Sequence, residues 1–194
     1  MLDASFGGNH VLAKVGAPAP AFKLPSTKGA TSSKDLGAEI SLSDYKGKWL
    51  IFFFYPLDFT FVCPTEILAL SDRYSEITDL GAEVLGASTD SVHSHFAWIN
   101  TPLEKNGIAG LKYPLVADYT KEVARAYGVL DEASGVAQRG LFIIDPDGIL
   151  KYTTVTADNV GRSVDETTRV LQALQTGGLC AADWKPGKKL LTVG

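Results

Sequence analysis

The chain carries two cysteines, Cys63 and Cys180, and these are the residues whose chemistry is easiest to assign. Neither belongs to a C-x-x-C pair, so the motif of dithiol exchange enzymes is absent. Two isolated cysteines also do not supply the ligand spacing of a zinc ribbon. Taken without their context, buried packing and redox chemistry are equally good interpretations, because free cysteine is among the most buried residue types.

The context of Cys63 favours chemistry. It lies in the segment Tyr55-Pro-Leu-Asp-Phe-Thr-Phe-Val-Cys-Pro-Thr-Glu66, between a predicted strand and a predicted helix. Pro64 suits the first position of a helix, so Cys63 is expected at or near the N-cap. Unpaired backbone N–H groups and the positive end of the helix dipole stabilise a thiolate there. Since the thiolate is the nucleophile, we expect Cys63 to be reactive.

Histidines and glycines offer no competing site. A cysteine protease needs a histidine base, and none of His10, His93 and His95 lies in a context that indicates this pairing. His93 and His95 fall in a predicted helix, where residues i and i+2 point to different faces, so we expect no metal site. No glycine-rich phosphate-binding loop is present either. The sequence therefore predicts neither a metal nor an organic cofactor.

The composition excludes several classes of protein. With 194 residues, 45% hydrophobic and 21% charged, the chain is typical of one packed globular domain. A net charge of -4 without a basic run argues against a nucleic-acid partner. The longest apolar run, residues 49–55, is too short to span a membrane. No signal or transit peptide is recognised in the first 20 residues, so we expect a cytoplasmic protein.

The elements that must position Cys63 alternate between strands and helices. Trp49–Phe54 is a continuous apolar run, typical of a strand buried on both faces. Residues 64–80 predict one amphipathic helix with Ile67, Leu70, Tyr74 and Ile77 on its buried face, ended by Gly81. Further along, the pattern predicts a strand at 83–87, helices at 91–100 and 121–127, a hairpin at 141–156, and a helix opened by the capping box of residues 163–166.

This order predicts an α/β fold, with a mixed sheet covered by helices on both faces, as in the thioredoxin plan. Residues 26–34 are small and polar and predict a surface loop. Residues 177–194 contain glycines, a Pro-Gly pair and lysines, and predict an extended tail with few core contacts. We therefore expect one domain, residues 1–176, followed by the tail, residues 177–194.

The segment from Pro56 to Cys63 has the P-x-x-x-T-x-x-C form of the peroxiredoxin active site. Residues 42–49, 139–145 and 160–166 also resemble segments of that family, and residues 179–184, which contain Cys180, resemble its resolving segment. The resemblance runs from about Val15 to Gly187. The chain most resembles the typical 2-Cys peroxiredoxins of the AhpC/TSA family, which have a thioredoxin-like fold.

The resemblance implies a thiol-specific peroxidase that reduces hydrogen peroxide and organic hydroperoxides to water and alcohols. Cys63 would be the peroxidatic cysteine, which is oxidised to a sulfenic acid. Cys180 would be the resolving cysteine of the other subunit, which implies a homodimer, often assembled into a decamer. The electron donor would be thioredoxin or a flavoprotein disulfide reductase. The segment around Cys63 would have to unwind before the two sulfur atoms could meet.

The resemblance also implies roles for the residues around Cys63. The Thr60 hydroxyl would bind the peroxide, Arg139 would donate to the sulfur and to the oxygens, and Pro56 would shield the pocket from water. Glu66 and Arg162 would orient Arg139. Each residue also has a purely structural explanation: Thr60 as the cap of a turn, Pro56 as the end of a strand, and Arg139 as a surface charge.

Two other functions stay open from the sequence. The chain could be a redox-regulated binding protein, either a peroxide sensor or a chaperone, or a structural domain with two inert cysteines. It departs from the family pattern where Ala181 follows Cys180, where residues 106–110 replace the G-G-L-G motif, and where no Tyr-Phe pair follows Cys180. Without that packing, we expect easier unwinding around Cys63 and resistance to overoxidation.

Overall fold

The computed structural model describes residues 12–193. The strands are β1 (Lys23–Pro25), β2 (Glu39–Ser41), β3 (Trp49–Phe54), β4 (Ala82–Ser88), β5 (Leu115–Ala117), β6 (Leu130–Asp131), β7 (Val136–Ala137), β8 (Arg139–Ile144) and β9 (Leu150–Thr156). The α-helices are α1 (Cys63–Asp72), α2 (Tyr74–Asp79), α3 (Val92–Ile99), α4 (Glu122–Ala126) and α5 (Val164–Gln175). Leu42–Tyr45 and Leu103–Lys105 form short 3₁₀ helices.

A five-stranded mixed sheet in the order β5-β4-β3-β8-β9 forms the centre of the fold. β3 pairs in parallel with β4, and β4 with β5, whereas β8 is antiparallel to both β3 and β9. β1 with β2, and β6 with β7, form two small antiparallel pairs. The predicted α/β class is confirmed. The short strand β5 was not predicted, because three apolar residues carry too little periodicity.

The central strand β3 is buried on both faces, as predicted. Phe52 and Phe54 point into one half of the core and Ile51 and Phe53 into the other, and all four are fully buried. Cys63 belongs to the second half of the core, together with residues of α1 and α5. The segment that leads to Cys63 therefore follows a strand that is buried over five of its six residues.

The single helix predicted over residues 64–80 is wrong, because the structure divides it into α1 and α2. The backbone leaves helical geometry at Arg73, where φ is -97° and ψ is 10°. The Arg73 guanidinium bonds to Glu76 in α2 and to Asp165 and Thr168 in α5. The predicted apolar face survives the break, since Ile67 and Ile77 are fully buried.

Other local predictions agree with the structure. Ser163 caps α5 by accepting a 3.1 Å hydrogen bond from the Glu166 backbone N–H. The buried side of α5 includes Val170 and Leu171, as expected. β8 and β9 form the predicted hairpin, whose turn ends at Gly148 with φ of 81°.

The surface loop predicted at residues 26–34 is only partly correct. Ser26 and Thr27 are buried, and Thr27 exchanges hydrogen bonds with Leu115 of β5, through its N–H at 3.0 Å and its hydroxyl oxygen at 3.1 Å. The exposed remainder is held by Asp35, which accepts hydrogen bonds from Thr31. A polar segment can thus enter the core where its polar groups pair with a strand edge.

The predicted tail, residues 177–193, is mostly exposed, but it is not extended throughout. Leu179 and Leu191 pair as an antiparallel bridge, which folds the tail back on itself. Trp184 is buried, and its carbonyl accepts a 2.9 Å hydrogen bond from Arg169 of α5. The hydrogen bond from Arg169 therefore attaches this part of the tail to α5.

Candidate active site

Cys63 is the first residue of α1, with Val62 as the N-cap and Pro64 in the second position. The prediction that Pro64 begins the helix is therefore off by one residue. The reasoning is unaffected, because none of the first N–H groups of a helix has a partner within the helix. The Cys63 side chain is fully buried and is not in a disulfide.

Arg139 is the charged group that contacts this sulfur. Because β8 is antiparallel to β3, the start of β8 lies beside the end of β3, where α1 begins. Nη1 of Arg139 lies 3.4 Å from Sγ of Cys63, and Nε donates to the Asp158 carbonyl at 2.8 Å. With 3% of its surface exposed, Arg139 is a buried residue and not a surface charge.

Glu66 joins Arg139 to Arg162. It follows Cys63 by three residues, so both side chains lie on one face of α1. Oε2 of Glu66 accepts a 2.7 Å bond from Nη1 of Arg139. Oε1 accepts from the backbone N–H of Arg162 at 2.7 Å and from its Nε at 2.8 Å. Arg162 is held in turn by the Gly140 carbonyl at 2.6 Å.

The electrostatics of this cluster favour the charged forms of Glu66 and Arg139. Burial acts to raise the pKa of Glu66, but hydrogen bonds from Arg162 and the charges of Arg162 and Arg139 outweigh it and lower the pKa below its ordinary value. For Arg139, burial acts to lower the pKa, but the hydrogen bonds and charges of Cys63 and Glu66 outweigh it and raise the pKa above its ordinary value. Two buried cations thus share one buried anion, and the remaining positive charge faces Cys63.

Thr60 and Pro56 belong to the segment that precedes Cys63. The Thr60 hydroxyl donates a 2.9 Å hydrogen bond to the Leu57 carbonyl, which leaves its lone pairs free to accept. Pro56 is buried directly after β3. The structure therefore brings six of the predicted residues to one end of the sheet: Pro56, Thr60, Cys63, Glu66, Arg139 and Arg162.

A buried polar network under this segment was missed by the sequence reasoning. Asp58 accepts a 2.8 Å bond from the Tyr55 hydroxyl and lies 2.9 Å from Nδ1 of His95. Nε2 of His95 lies 3.1 Å from the Val116 carbonyl oxygen.

The same network holds the backbone. The Asp58 N–H donates to Asp90 at 2.9 Å, and Asp90 also accepts from Ser88 at 2.7 Å. Burial, and next the charge of Asp58, raise the pKa of Asp90 and hold the pKa of Tyr55 well above its ordinary value.

The two helical histidines face different ways, as predicted. His95 is fully buried, whereas His93 is exposed. His10 lies outside the described residues. Asp58 follows β3, and His95 follows the neighbouring strand β4. Because functional polar residues of α/β sheets gather beyond the carboxyl ends of strands, these positions could have indicated the network from the sequence.

Cys180 lies beside the C-terminal end of α5. Its Sγ lies 3.7 Å from the Ala173 carbonyl and 3.5 Å from the Thr176 hydroxyl, in the last turn of the helix. The first turn of α5 follows Arg162, which binds Glu66 beside Cys63. A helix of this length spans about 18 Å. Within one described chain, the two cysteines therefore lie near opposite ends of α5.

The sequence model described as "AhpC/TSA family" matches residues 15–153, well over half of the chain. This chain belongs to the AhpC/TSA family. A putative peroxiredoxin, YkuU, of Bacillus subtilis is 59% identical over 179 residues, which are 91% of this chain and 97% of the relative. Peroxiredoxin-1 of Gallus gallus is 52% identical over 89% of this chain and 87% of its own length.

Solved structures of AhpC/TSA proteins share the fold. A reduced 2-Cys peroxiredoxin from Plasmodium vivax superimposes with a TM-score of 0.85 at 40% identity, covering 91% of each chain. AhpC of Mycobacterium tuberculosis gives a TM-score of 0.77 at 40% identity, covering 90% of this chain and 99% of that one. The predicted family, the thioredoxin-like fold and the enzyme class, a peroxidase among the oxidoreductases, are confirmed.

Membrane insertion has no support in the helices of this peroxiredoxin. In the part of the chain from residue 12 to residue 193, no helix has the length and apolar character that crossing a bilayer requires. The predicted cytoplasmic location stays a prediction.

Proposed function

We propose that this peroxiredoxin reduces hydrogen peroxide and organic hydroperoxides through a sulfenic acid on Cys63 and a disulfide between Cys63 and Cys180 of a second subunit, in antioxidant defence. The observation that carries the proposal is the contact of Arg139 with both Cys63 and Glu66, in a site that is fully buried at the sulfur. A structural domain with inert cysteines has no need of a buried cation at a thiol.

In the first step, the Cys63 thiolate attacks the terminal oxygen of the hydroperoxide. The S–O bond forms, the O–O bond breaks, and the other oxygen leaves as water or an alcohol after taking a proton. Among residues 12–193, Nη2 of Arg139 has no hydrogen-bond partner, so its two N–H groups remain for the oxygens of the substrate. They stabilise the negative charge that develops on the leaving oxygen.

Thr60 and Pro56 complete the proposed substrate site. Because the Thr60 hydroxyl already donates to Leu57, it meets the peroxide as an acceptor of the substrate's O–H. Pro56 has no N–H and is buried, so it limits the access of water to the sulfur. Glu66 and Arg162 fix the guanidinium of Arg139 through the bonds described above.

In the second step, the thiol of Cys180 attacks the sulfenic sulfur, a disulfide forms, and water leaves. A disulfide needs Cα atoms within about 7 Å, whereas the two cysteines of one chain lie near opposite ends of α5, a helix about 18 Å long. This distance supports a partner subunit as the source of Cys180, and therefore an antiparallel homodimer. β9 stands at the edge of the central sheet and offers an edge for pairing with a second copy.

The disulfide must then be reduced by an external dithiol. The proposed donors are thioredoxin or a flavoprotein disulfide reductase, and both act by thiol–disulfide exchange. The proposed assembly is a homodimer, and five such dimers would form the decamer.

The test is oxidation of the reduced protein with one equivalent of hydrogen peroxide, followed by non-reducing electrophoresis. We expect a band at twice the chain mass that disappears with a reductant and in both Cys63→Ser and Cys180→Ser. Peroxide consumption is then measured with each candidate donor. Absence of both the band and turnover would contradict the proposal, whereas a single oxidation without turnover with any donor would indicate a sensor.

A further inference from the structure

The peptide group between Leu57 and Asp58 makes hydrogen bonds in two directions. Its carbonyl oxygen, on Leu57, accepts the 2.9 Å hydrogen bond from the Thr60 hydroxyl, and no other hydrogen bond reaches this oxygen from residues 12–193. Its N–H, on Asp58, donates to Oδ2 of Asp90 at 2.9 Å. One peptide group therefore connects the Asp90 carboxylate to the hydroxyl that is proposed to meet the substrate.

Asp90 is held in position by Ser88, the last residue of β4. The Ser88 hydroxyl donates to Oδ2 of Asp90 at 2.7 Å and accepts from the Asp90 backbone N–H at 3.0 Å. Ser88 is fully buried and pairs with Ala117 of β5. Burial raises the pKa of Asp90, whereas the hydrogen bonds from Ser88 and from the Asp58 N–H act to lower it and so favour the carboxylate. The carboxylate is therefore fixed to the central sheet.

The side chain of Asp58 is anchored separately from its N–H. Oδ1 of Asp58 accepts from the Tyr55 hydroxyl at 2.8 Å, and Oδ2 lies 2.9 Å from Nδ1 of His95. Asp58 therefore stays attached to the core when the Asp90 carboxylate is removed. What Asp90 itself contributes is the direction and the polarity of the peptide group between Leu57 and Asp58.

Hydrogen bonds that follow one another in this way strengthen each other. A carboxylate at the N–H of a peptide group increases the negative partial charge on the carbonyl oxygen, here that of Leu57. The stronger acceptor draws the Thr60 hydrogen more firmly, and the hydroxyl oxygen becomes a better acceptor for the O–H of a hydroperoxide. The lone pairs of this oxygen also keep one direction, because the hydroxyl hydrogen points to Leu57.

We propose that Asp90 is a positioning residue for the hydroperoxide, and that it acts through the Leu57–Asp58 peptide group on the Thr60 hydroxyl. This inference rests on the proposed function. Asp90 contacts neither the sulfur nor the substrate. Its effect falls on the first oxidation of Cys63, since the hydrogen bonds of Arg139 and of Cys180 do not involve this peptide group.

Two substitutions of Asp90 and one control test this role. Asp90→Ala removes the acceptor, whereas Asp90→Asn keeps its shape and leaves a neutral acceptor. We expect the rate of Cys63 oxidation by hydrogen peroxide to fall about tenfold in Asp90→Ala and about threefold in Asp90→Asn, because hydrogen bonds to charged acceptors are stronger than those to neutral ones. Asp118→Asn is the matched control, since Asp118 is also a buried carboxylate that accepts from backbone N–H groups, those of Val123 and Ala124.

Thr60→Val separates positioning of the substrate from a general loosening of the fold. Valine keeps the branched shape of threonine and has no hydroxyl, so the connection from Asp90 to the substrate ends there. In the Thr60→Val background, both Asp90 substitutions should change the remaining rate by less than about twofold. All variants carry Cys180→Ser, and the rates are measured by stopped-flow tryptophan fluorescence at a pH at which the thiol is fully ionised.

The proposal is supported by a slower Asp90→Ala variant, loss of that effect in the Thr60→Val background, and a parental rate in Asp118→Asn. A parental rate in Asp90→Ala would overturn it, and so would an equal fall in both backgrounds, which is the result of a merely structural role. If Asp90→Ala does not fold by thermal unfolding, Asp90→Asn in the two backgrounds decides in the same way. Failure of peroxide to oxidise Cys63 in the Cys180→Ser parent would instead contradict the proposed function.

Discussion

Substitution of Arg139 by alanine tests the chemistry of the site most directly. In the parent protein, Nη1 of Arg139 lies 3.4 Å from the Cys63 sulfur and its Nη2 is proposed to meet the peroxide. Arg139→Ala removes both interactions and leaves the cysteine at the start of α1 in place. We expect peroxide to oxidise this variant much more slowly than the parent.

The magnitude follows from the donors that Arg139→Ala removes and from their burial. Removal of one preorganised donor from a site of developing negative charge raises the barrier by about 3–4 kcal/mol, or about 10²–10³ in rate. The fold should survive, because Glu66 keeps three hydrogen bonds from Arg162. Without the bonds to Glu66 and to the Asp158 carbonyl, the free energy of unfolding should fall by about 1–3 kcal/mol.

The assay is stopped-flow oxidation of the reduced protein by hydrogen peroxide, followed by tryptophan fluorescence. A Cys180→Ser background stops the reaction at the sulfenic acid. Rates are measured up to a pH at which the thiol is fully ionised in every variant, so that ionisation and transition-state effects separate. Arg125→Ala is the control, since Arg125 forms an exposed ion pair with Glu132.

The reasoning would be refuted by a folded Arg139→Ala variant whose rate at high pH falls less than about tenfold. A deficit seen only at low pH would mean that Arg139 favours ionisation of Cys63 and does not stabilise the leaving oxygen. The parental rate in Arg125→Ala is required in either case.

Three further predictions concern the residues that support the site. The pKa of Glu66 is lowered in the folded protein, so its contribution to stability is full at neutral pH and is lost as the pH falls through that folded-state value. Glu66→Gln should therefore cost about 3 kcal/mol at neutral pH and flatten the acid dependence, and equal urea midpoints for parent and variant at neutral pH would contradict this. His95→Leu leaves the buried Asp58 carboxylate short of a partner and should cost about 3 kcal/mol in urea unfolding, whereas His93→Leu should cost less than about 0.5 kcal/mol. Trp184→Ala should release residues 177–193 and raise their rate of tryptic cleavage about tenfold or more, and an unchanged rate would show that the tail is held by other contacts.

The local structure around Cys63 could be predicted well because its causes lie in neighbouring residues. A proline after the cysteine and an apolar run before it are enough to place the thiol at a strand-to-helix junction. The same holds for the cap of α5 at Ser163 and for the hairpin that ends at Gly148. Where a prediction failed, as in the helix over residues 64–80, a distant contact decided the outcome, here the bonds of Arg73 to α5.

The contacts that make the site were beyond local reasoning. Arg139 and Cys63 are 76 residues apart, and His95 lies 37 residues from Asp58. Resemblance to a family suggested Arg139. Nothing in the sequence indicated that the Asn106 side chain would donate a hydrogen bond to the Thr60 carbonyl, or that Trp184 of the tail would be buried. Such pairs depend on the register of β3 with β8 and on how α3 and its following turn pack against the sheet.

By itself, the sequence determined that Cys63 would lie at the start of a helix, because the start of a helix is set by the few residues around it. Only the tertiary structure decided how that sulfur is surrounded by buried charge, how firmly its loop is held, and how far the second cysteine of the same chain lies from it. The physical reason is that hydrogen bonds and ion pairs act over a few ångströms, and only the packed sheet brings their partners within that range.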